Sequence, residues 1–361
     1  MKIAIDCRSI VGKKDGKGWY TFYVVKNLLE LDKKNEYHLF FSGEFPFKEF
    51  DGNVILHDVR KKNIFWHIAV LSKLKKIKPD VYFAPTSFII PAFIPGNIRS
   101  VITVHDLVAL MFSEGHNFKA SFIEKLLLKR ALKKAYKVVA ISENTKNDLI
   151  KLFPFSGEKI VKIFCGVSDD FKILEKEKID QVVIKKFPEK FFMVVGTICP
   201  RKNHINIIKA FSAMNRDKSI KLVVIGQKGW KWQDVFKTVD ELNMKNDVIF
   251  YDYLPHSDII AAYNLSLALL FPSFYEGFGL PPLEAMKCGC PVISSNVSSL
   301  PEVMDDAGIL VDPHDVNALR DAMERILQNE DLRKNLKIKG FENVKRFSWK
   351  KSADEILKTF E

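Results

Sequence analysis

Two glutamates with seven residues between them, Glu276 and Glu284, are the first candidates for chemistry. The apolar run from Leu267 to Phe271 predicts a buried parallel strand before them. Pro281 and Pro282 suit the first turn of a helix, where a missing backbone N–H costs nothing. Glu276 is therefore expected in a loop and Glu284 inside the following helix.

This loop suits an anionic ligand that is rich in hydroxyl groups. Gly277 and Gly279 let backbone N–H groups come close to a ligand, and the start of a helix attracts phosphate. The carboxylates of Glu276 and Glu284 would accept hydrogen bonds from sugar hydroxyls. The segment is thus consistent with a nucleotide-sugar site. It is also consistent with an ordinary strand–loop–helix connection whose two glutamates are solvated, because Gly and Pro occur in many such loops.

The residues around the two glutamates resemble those of a known family. The segment Pro272-Ser-Phe-Tyr-Glu-Gly-Phe-Gly-Leu-Pro-Pro-Leu-Glu-Ala-Met286 is similar to the Glu-x7-Glu region of retaining glycosyltransferases of family 4, also called glycosyl transferases group 1. The resemblance implies that Glu276 holds hydroxyls of the donor sugar at the catalytic centre and that Glu284 holds the ribose. It also implies donor-binding roles for the backbone of Gly277, Phe278, Gly279 and Leu280.

Strands alternate with amphipathic helices along the chain, which predicts an α/β fold with parallel, doubly wound sheets. The resemblance implies the GT-B architecture, in which two Rossmann-like domains face each other across a cleft. We expect an acceptor-side domain over residues 1–171, a charged linker over 172–188 and a nucleotide-sugar-binding domain over 189–340. A C-terminal helix over 341–361 is expected to pack back on the first domain.

Arg201 and Lys202 follow a predicted strand and precede a predicted helix, a position well suited to holding a diphosphate. The resemblance implies this catalytic role for both. Thr197 stands where many relatives have Arg, and Pro200-Arg-Lys-Asn203 resembles the mannosyltransferase-like subgroup. The sequence contains no Asp-x-Asp, the motif with which many glycosyltransferases hold a metal. We therefore expect no metal and no cofactor besides the donor, with the diphosphate neutralised by Lys202 and Arg201.

Two features of the first half are ambiguous by themselves. Gly12, Gly16 and Gly18 follow the first predicted strand, but their Gly-x3-Gly-x-Gly spacing does not fit the dinucleotide fingerprint. They form either a flexible loop or, as the resemblance implies, a border of the donor phosphates and acceptor. His105 ends a predicted buried strand. It is either a structural histidine or, as the resemblance implies, part of the donor-sugar pocket.

The positive charge is concentrated in the first half of the chain. Residues 1–180 carry 31 Lys and Arg against 21 Asp and Glu, whereas residues 181–361 carry 25 against 23. A half with this excess of positive charge could bind anionic lipid headgroups or nucleic acid. It could also be an ordinary solvated surface. Helical spacing in the segment 60–78 places five residues on one apolar side, namely Phe65, Ile68, Ala69, Leu71 and Ser72. We expect this apolar side to pack on the sheet.

Together with these observations, the family resemblance implies a retaining hexosyltransferase, independent of metal, that acts in envelope glycan biosynthesis. GDP-mannose is the favoured donor and a UDP-sugar the alternative. The acceptor is expected to be a lipid-linked or polysaccharide glycan of O-antigen, capsule or lipopolysaccharide. The alternatives are a nucleotide-sugar epimerase or sugar phosphorylase of the same fold, and a basic nucleic-acid-binding protein, for which no signature is found.

The location predicted from sequence is cytoplasmic, with peripheral attachment to the inner face of the membrane. No apolar run approaches the roughly 18 residues of a membrane span. The segment Met1–Cys7 does not fit a secretory signal. The five cysteines are expected to be reduced thiols.

Overall fold

A computed structural model describes residues 1–47, 52–111 and 118–361, with the side chains of 118–121 left out. The chain forms two compact units. The first comprises Met1–Gly166 together with Phe347–Glu361, and the second Val167–Arg346. The segment 172–188 lies in the second unit, where Leu174 N–H donates to Asn264 Oδ1.

The first unit contains a seven-stranded parallel sheet in the order β3-β2-β1-β4-β5-β6-β7. Its strands are β1 (Lys2–Asp6), β2 (Glu36–Phe41), β3 (Val54–Asp58), β4 (Val81–Ala84), β5 (Arg99–Val104), β6 (Lys137–Ala140) and β7 (Ile160–Lys162). Its helices are α1 (Gly16–Leu31), α2 (Asn63–Ile77), α3 (Ile89–Phe93), α4 (Val108–Met111), α5 (Phe118–Lys134) and α6 (Glu143–Leu152).

The second unit contains a six-stranded parallel sheet in the order β10-β9-β8-β11-β12-β13. Its strands are β8 (Phe191–Val195), β9 (Lys221–Ile225), β10 (Val248–Tyr251), β11 (Ala268–Phe271), β12 (Val292–Ser295) and β13 (Ile309–Val311). Its helices are α7 (Gln181–Ile184), α8 (His204–Ser212), α9 (Trp232–Glu241), α10 (His256–Leu265), α11 (Leu280–Lys287), α12 (Leu300–Met304), α13 (Val316–Gln328) and α14 (Glu330–Val344).

Both sheets are doubly wound, as the alternating pattern predicts. The strand order reverses between β1 and β4 in the first unit and between β8 and β11 in the second. In sheets of this kind, ligands bind outside the carboxyl ends of the strands at the point of reversal. The topology therefore points to the loops after β1 and β4, and to those after β8 and β11.

The last helix, α15 (Trp349–Lys358), belongs to the first unit, where it packs on α1. The indole of Trp349 stacks on the ring of Tyr23 at 5.3 Å between centroids. Gly166 lets the start of α15 come close to its own backbone, because a Cβ at this position would lie only 2.1 Å from the backbone nitrogen of Trp349.

The buried face of α2 differs from the expected one. The helix buries Trp66, His67, Val70 and Leu74, whereas Phe65 is 68% exposed and Ile68 is 55% exposed. The expectation that Phe65 and Ile68 pack on the sheet was therefore wrong. Trp66, Val70 and Leu74 recur at every fourth position and form the apolar stripe that faces the core, and the Arg8 guanidinium lies 3.8 Å from the centroid of the Trp66 ring.

Candidate functional site

The loops after β8 and β11 bring together three of the predicted residues at the reversal point of the second sheet. Arg201 and Lys202 lie in a short 3₁₀ turn, Pro200–Lys202, that follows β8. Glu276 lies in the loop between β11 and α11. The backbone joins the two loops directly, because Phe274 N–H donates to the Arg201 carbonyl at 2.9 Å.

Glu276 pairs with both cations at once. Lys202 Nζ lies 2.6 Å from Glu276 Oε1, and Arg201 Nη1 lies 2.8 Å from Oε2. Arg201 Nη1 also donates to the Tyr275 carbonyl at 2.6 Å. The side chain of Arg201 is 18% exposed and those of Lys202 and Glu276 are 11% exposed each. The sequence therefore identified three side chains that the fold collects into one buried ion-pair group.

The electrostatics of this group keep Glu276 ionised. Burial opposes ionisation of its carboxyl, but the charges of Lys202 and Arg201 outweigh burial and hold the pKa of Glu276 below its usual range. Burial also lowers the pKa of Lys202, and the neighbouring Glu276 charge limits that fall. Two cations and one carboxylate leave one positive charge in excess, which favours an anionic ligand.

Gly196, at the end of β8, makes room for the Lys202 side chain. Its φ of +133° is rarely adopted by residues with a Cβ, and a Cβ there would lie 3.2 Å from Lys202 Cε. The Lys202 ammonium also lies 4.3 Å from the centroid of the Phe271 ring. Sequence reasoning did not assign Gly196 a role, although a glycine that directly ends a buried strand was a usable signal.

Ser299 and Asn203 hold the Glu276 loop in place. Ser299 Oγ lies 2.9 Å from the Glu276 carbonyl oxygen and 2.6 Å from the Phe278 carbonyl oxygen, and its single proton is shared between the two. The Ser299 side chain makes no cap hydrogen bond to its own helix and serves the loop instead. Asn203 Nδ2 donates to the Pro272 carbonyl at 3.0 Å.

Glu284 lies on α11, separate from the ion-pair group. Helix α11 begins at Leu280 after Gly279, whose φ is +129°, and Pro281 and Pro282 occupy its first turn as predicted. Glu284 Oε2 accepts a hydrogen bond from Tyr263 Oη at 3.0 Å. Burial raises the pKa of Glu284 to about 7, and the Tyr263 hydrogen bond limits this rise. Tyr263, which has no local sequence signal, was not predicted.

The remaining predicted residues lie in the first unit. His105 is buried after β5, and its Nε2 lies 2.7 Å from the Pro85 carbonyl. Since a carbonyl oxygen only accepts, Nε2 carries a proton there. Burial and the Lys17 charge lower the pKa of His105 to about 4, so the ring is neutral at pH 7.

The three glycines of the first unit that were predicted as site residues occupy different local positions. Gly12 lies in the loop after β1, Gly16 begins α1, and Gly18 is buried against the Ser9 carbonyl. The α1 start is capped by Asp15, whose Oδ1 accepts from Gly18 N–H at 2.8 Å. The structure thus places these glycines around one helix start, in a different unit from Glu276 and Lys202.

All five cysteines are buried and free of disulfides. Within residues 1–47, 52–111 and 118–361 no cluster of three His, Cys, Asp or Glu side chains suits a metal ion. In the same part of the chain, no helix combines the length and the apolar character needed to cross a bilayer.

Comparison with known proteins identifies the class of this protein. Residues 16–171 match the family model described as Glycosyltransferase Family 4, and residues 175–343 match Glycosyl transferases group 1. The chain belongs to this family and is a glycosyltransferase, which confirms the resemblance seen in the sequence.

Its relatives include mannosyltransferases. The chain is 30% identical over 293 residues to O-antigen chain mannosyltransferase B of Escherichia coli, covering 80% of this chain and 75% of that protein. It is also 30% identical over 273 residues to the serotype-specific mannosyltransferase WbdA of Escherichia coli, which covers 73% of this chain but only 33% of WbdA.

A solved structure with the same fold is HepE of Anabaena in complex with UDP and glucose. The TM-score is 0.80 at 18% identity, with 99% of both chains covered. This similarity confirms the predicted class of two Rossmann-like domains of the GT-B type.

Proposed function

We propose that the protein transfers a hexose from a nucleotide donor to an acceptor hydroxyl with retention of anomeric configuration, and that mannose from GDP-mannose is the donor group. The observation that carries the proposal is the pairing of Glu276 with both Arg201 and Lys202 at the reversal point of the second sheet. The mannosyltransferase relatives and the Pro200-Arg-Lys-Asn203 segment support mannose. A UDP-sugar is the alternative donor, because the structurally similar HepE binds UDP.

The proposed chemistry needs no enzymic nucleophile. The bond between the sugar C1 and the diphosphate oxygen breaks while the acceptor oxygen bonds to C1 from the same face. The acceptor proton passes to the departing diphosphate oxygen. Lys202 and Arg201 stabilise the charge that develops on the diphosphate, and a preorganised donor of this kind contributes on the order of 3–4 kcal/mol.

The two glutamates take different roles in this proposal. Ionised Glu276 accepts hydrogen bonds from donor-sugar hydroxyls while it keeps the two cations oriented. Glu284, on a neighbouring helix with Tyr263 as its partner, accepts from the ribose hydroxyls. The N–H groups of residues 277–280, at the start of α11, support the phosphates. His105, neutral and fixed by Pro85, is proposed to line the sugar pocket.

The acceptor is proposed to be a lipid-linked or polysaccharide glycan of the bacterial envelope, reached from the inner face of the cytoplasmic membrane. The O-antigen enzymes among the relatives support this assignment. The exposed Phe65 and Ile68 on α2, followed along the helix by Lys73, Lys75 and Lys76, support peripheral binding to an anionic leaflet.

A donor screen that measures nucleoside diphosphate release across GDP- and UDP-sugars, run in excess EDTA, tests the proposal. We expect release from GDP-mannose, full activity in EDTA and an α-linked product by NMR. Activity lost on chelation and restored by Mg²⁺ or Mn²⁺ would contradict neutralisation by Lys202 and Arg201. A product of inverted configuration would contradict the retaining mechanism.

A further inference from the structure

The hydroxyl group of Tyr263, on α10, has a single polar partner in the part of the chain that the structure describes. The side chain is fully buried, and its Oη donates to Glu284 Oε2 at 3.0 Å. A buried hydroxyl costs free energy unless it is hydrogen-bonded, so an apolar ring would suit this place better if Glu284 did not need a donor. The contact with Glu284 therefore accounts for a tyrosine at this position.

Packing holds the Tyr263 ring in place. The ring of Phe171, a buried residue of the segment that precedes α7, lies edge-on to it at 6.0 Å between centroids. Asn264, the next residue on α10, fastens that segment, because its Oδ1 accepts from Leu174 N–H and its Nδ2 donates to the Lys172 carbonyl. Since protein interiors are closely packed, the Tyr263 hydroxyl stays directed at Glu284.

The two carboxyl oxygens of Glu284 have different surroundings. Oε2 is occupied by the Tyr263 hydroxyl, whereas Oε1 has no hydrogen bond or ion pair to any residue that the structure describes. Glu284 is only partly buried, so Oε1 can reach a ligand. A carboxylate oxygen accepts hydrogen bonds from hydroxyl groups. The arrangement thus anchors one oxygen and leaves the other for a ligand that carries hydroxyls.

The Tyr263 hydrogen bond favours the ionised form of Glu284. Burial raises the pKa of Glu284 to about 7, and the bond from Tyr263 limits this rise. Burial also raises the pKa of Tyr263 well above its usual range, so the phenol remains a donor at neutral pH. The carboxyl is therefore close to half ionised at neutral pH, and its charge depends on the hydroxyl.

The other titratable groups on the elements packed around Glu284 do not shift its pKa. They include His256 and Asp258 on α10, Lys287 on α11, Glu302 on α12 and Lys337 on α14. The thiols of Cys288 and Cys290, which follow α11, are neutral because burial raises the pKa of each to about 12. Among the described residues, Tyr263 is therefore the group that favours the ionised carboxyl.

We propose that Tyr263 is a positioning residue for the nucleotide donor, because its hydroxyl fixes one carboxyl oxygen of Glu284 so that the other accepts from the ribose. The inference rests on the proposed function, which assigns the ribose to Glu284, and it adds that donor binding depends on pH near neutrality. An ionised carboxyl accepts through both oxygens, whereas a protonated one has lost part of that capacity. Since the Tyr263 bond favours the ionised form, its loss should move the pH dependence upward.

Calorimetric binding of GDP-mannose and of UDP-glucose to the full-length protein, from about pH 5.5 to about pH 8.5, tests the inference. We expect the wild-type affinity to rise as the pH passes through 7, because Glu284 ionises there. In Tyr263→Phe the midpoint of this rise should move up by about one pH unit, since one hydrogen bond to a charged group is lost. The variant should then bind roughly fivefold more weakly than wild type at neutral pH and within about twofold of it at about pH 8.5. Its kcat at saturating donor should stay close to that of wild type.

Tyr37→Phe is the matched control. Tyr37 is also a buried tyrosine whose hydroxyl donates to a carboxylate, Asp32 Oδ2, at 2.7 Å, but it belongs to the first unit. Donor binding to this variant should follow the wild-type pH curve. Glu284→Gln should lack the rise through neutral pH, and Tyr263→Phe added to Glu284→Gln should shift nothing further, because the two residues act as one pair.

The shape of the pH curves separates the outcomes. A loss of affinity in Tyr263→Phe that is the same at every pH would show a merely structural tyrosine and would overturn the inference. An unchanged curve in this variant, or an equal shift in Tyr37→Phe, would overturn it as well. If Tyr263→Phe does not fold, a rise through neutral pH in wild type but not in Glu284→Gln supports the inference, and identical curves overturn it. Absence of binding and of nucleotide release with every donor would overturn the proposed function instead.

Discussion

Lys202 Nζ and Glu276 Oε1 lie 2.6 Å apart although the two residues are 74 positions apart in the chain, and both side chains are 11% exposed. Arg201 adds a second cation to the same carboxylate. The pairing connects the loop after β8 to the loop after β11, so the group serves the fold as well as the proposed reaction. Removal of the carboxylate or of either cation should therefore change both the stability and the turnover.

Glu276→Gln keeps the size of the side chain and removes its charge, which leaves two buried cations without a counter-charge. We expect a loss of about 2–4 kcal/mol in the free energy of unfolding of the second unit and a fall in transfer of roughly a hundredfold or more. Denaturant unfolding measures the loss of stability, and initial rates measure the fall in transfer. The exposed pair Glu241–Lys237 gives the control, because Glu241→Gln should change stability by less than about 0.5 kcal/mol. Wild-type unfolding and wild-type rates in Glu276→Gln would rule out this role.

Glu284→Gln should change the pH dependence of stability. The pKa of Glu284, about 7, is above the ordinary 4.5 of a glutamate, so the folded protein holds this proton more tightly than the unfolded chain. That stabilisation is complete below the ordinary pKa and is lost as the pH rises through 7. Gln has no such loss and still accepts from Tyr263. Wild type should therefore lose stability relative to Glu284→Gln as the pH rises, and the Tm of the variant minus the Tm of wild type should increase by roughly 2–6 °C between pH 5 and pH 8. A difference that stays constant or falls would contradict the buried carboxyl.

Ser299→Ala should loosen the Glu276 loop. The substitution leaves the carbonyls of Glu276 and Phe278 without their donor, which costs about 1–3 kcal/mol. We expect the KM for the donor to rise several-fold with a smaller effect on kcat. The control Ser212→Ala removes a hydroxyl that donates only within its own helix, to the Lys209 carbonyl. If both variants shift KM equally, Ser299 has no special role in the loop.

The first unit should bind anionic vesicles reversibly. Co-sedimentation at low salt should decrease as salt rises, because each lysine near the surface contributes about 1 kcal/mol. Since Ile68 is 55% exposed, Ile68→Gln should weaken binding, whereas the control Ile338→Gln, at an isoleucine of α14 that is 64% exposed, should not. Absence of binding at low salt, or salt-independent binding to neutral vesicles, would refute an electrostatic attachment.

Local features of this fold are readable from the sequence, and long-range partners are not. Helices such as Glu143–Leu152 and Val316–Gln328 begin directly after the capping residues Ser142 and Asp315 and carry a hydrophobic period, so their positions can be read from the sequence. The contact of Arg8 with Trp66 on α2 and the contact of Ser299 with the Glu276 loop are two examples. Both contacts come from distant parts of the chain, so no local pattern encodes them.

In the candidate site, too, single residues could be predicted from the local sequence but their partners could not. Glu276, Arg201 and Lys202 were predicted individually, because each lies between a strand and a helix. Their mutual pairing was not predicted, because it needs β8 and β11 to be neighbours in the sheet. Tyr263, which is paired with Glu284, was missed for the same reason.

Calorimetric binding of GDP-mannose to wild-type protein and to Lys202→Met tests the central claim most directly, with Lys209→Met as the control. Lys209 is an exposed lysine on α8, so its replacement leaves the ion-pair group intact. We predict that wild type and Lys209→Met bind GDP-mannose alike and release GDP, and that Lys202→Met stays folded but loses roughly a hundredfold or more in turnover. Equal binding and equal GDP release in Lys202→Met and wild type would contradict the assignment of this site.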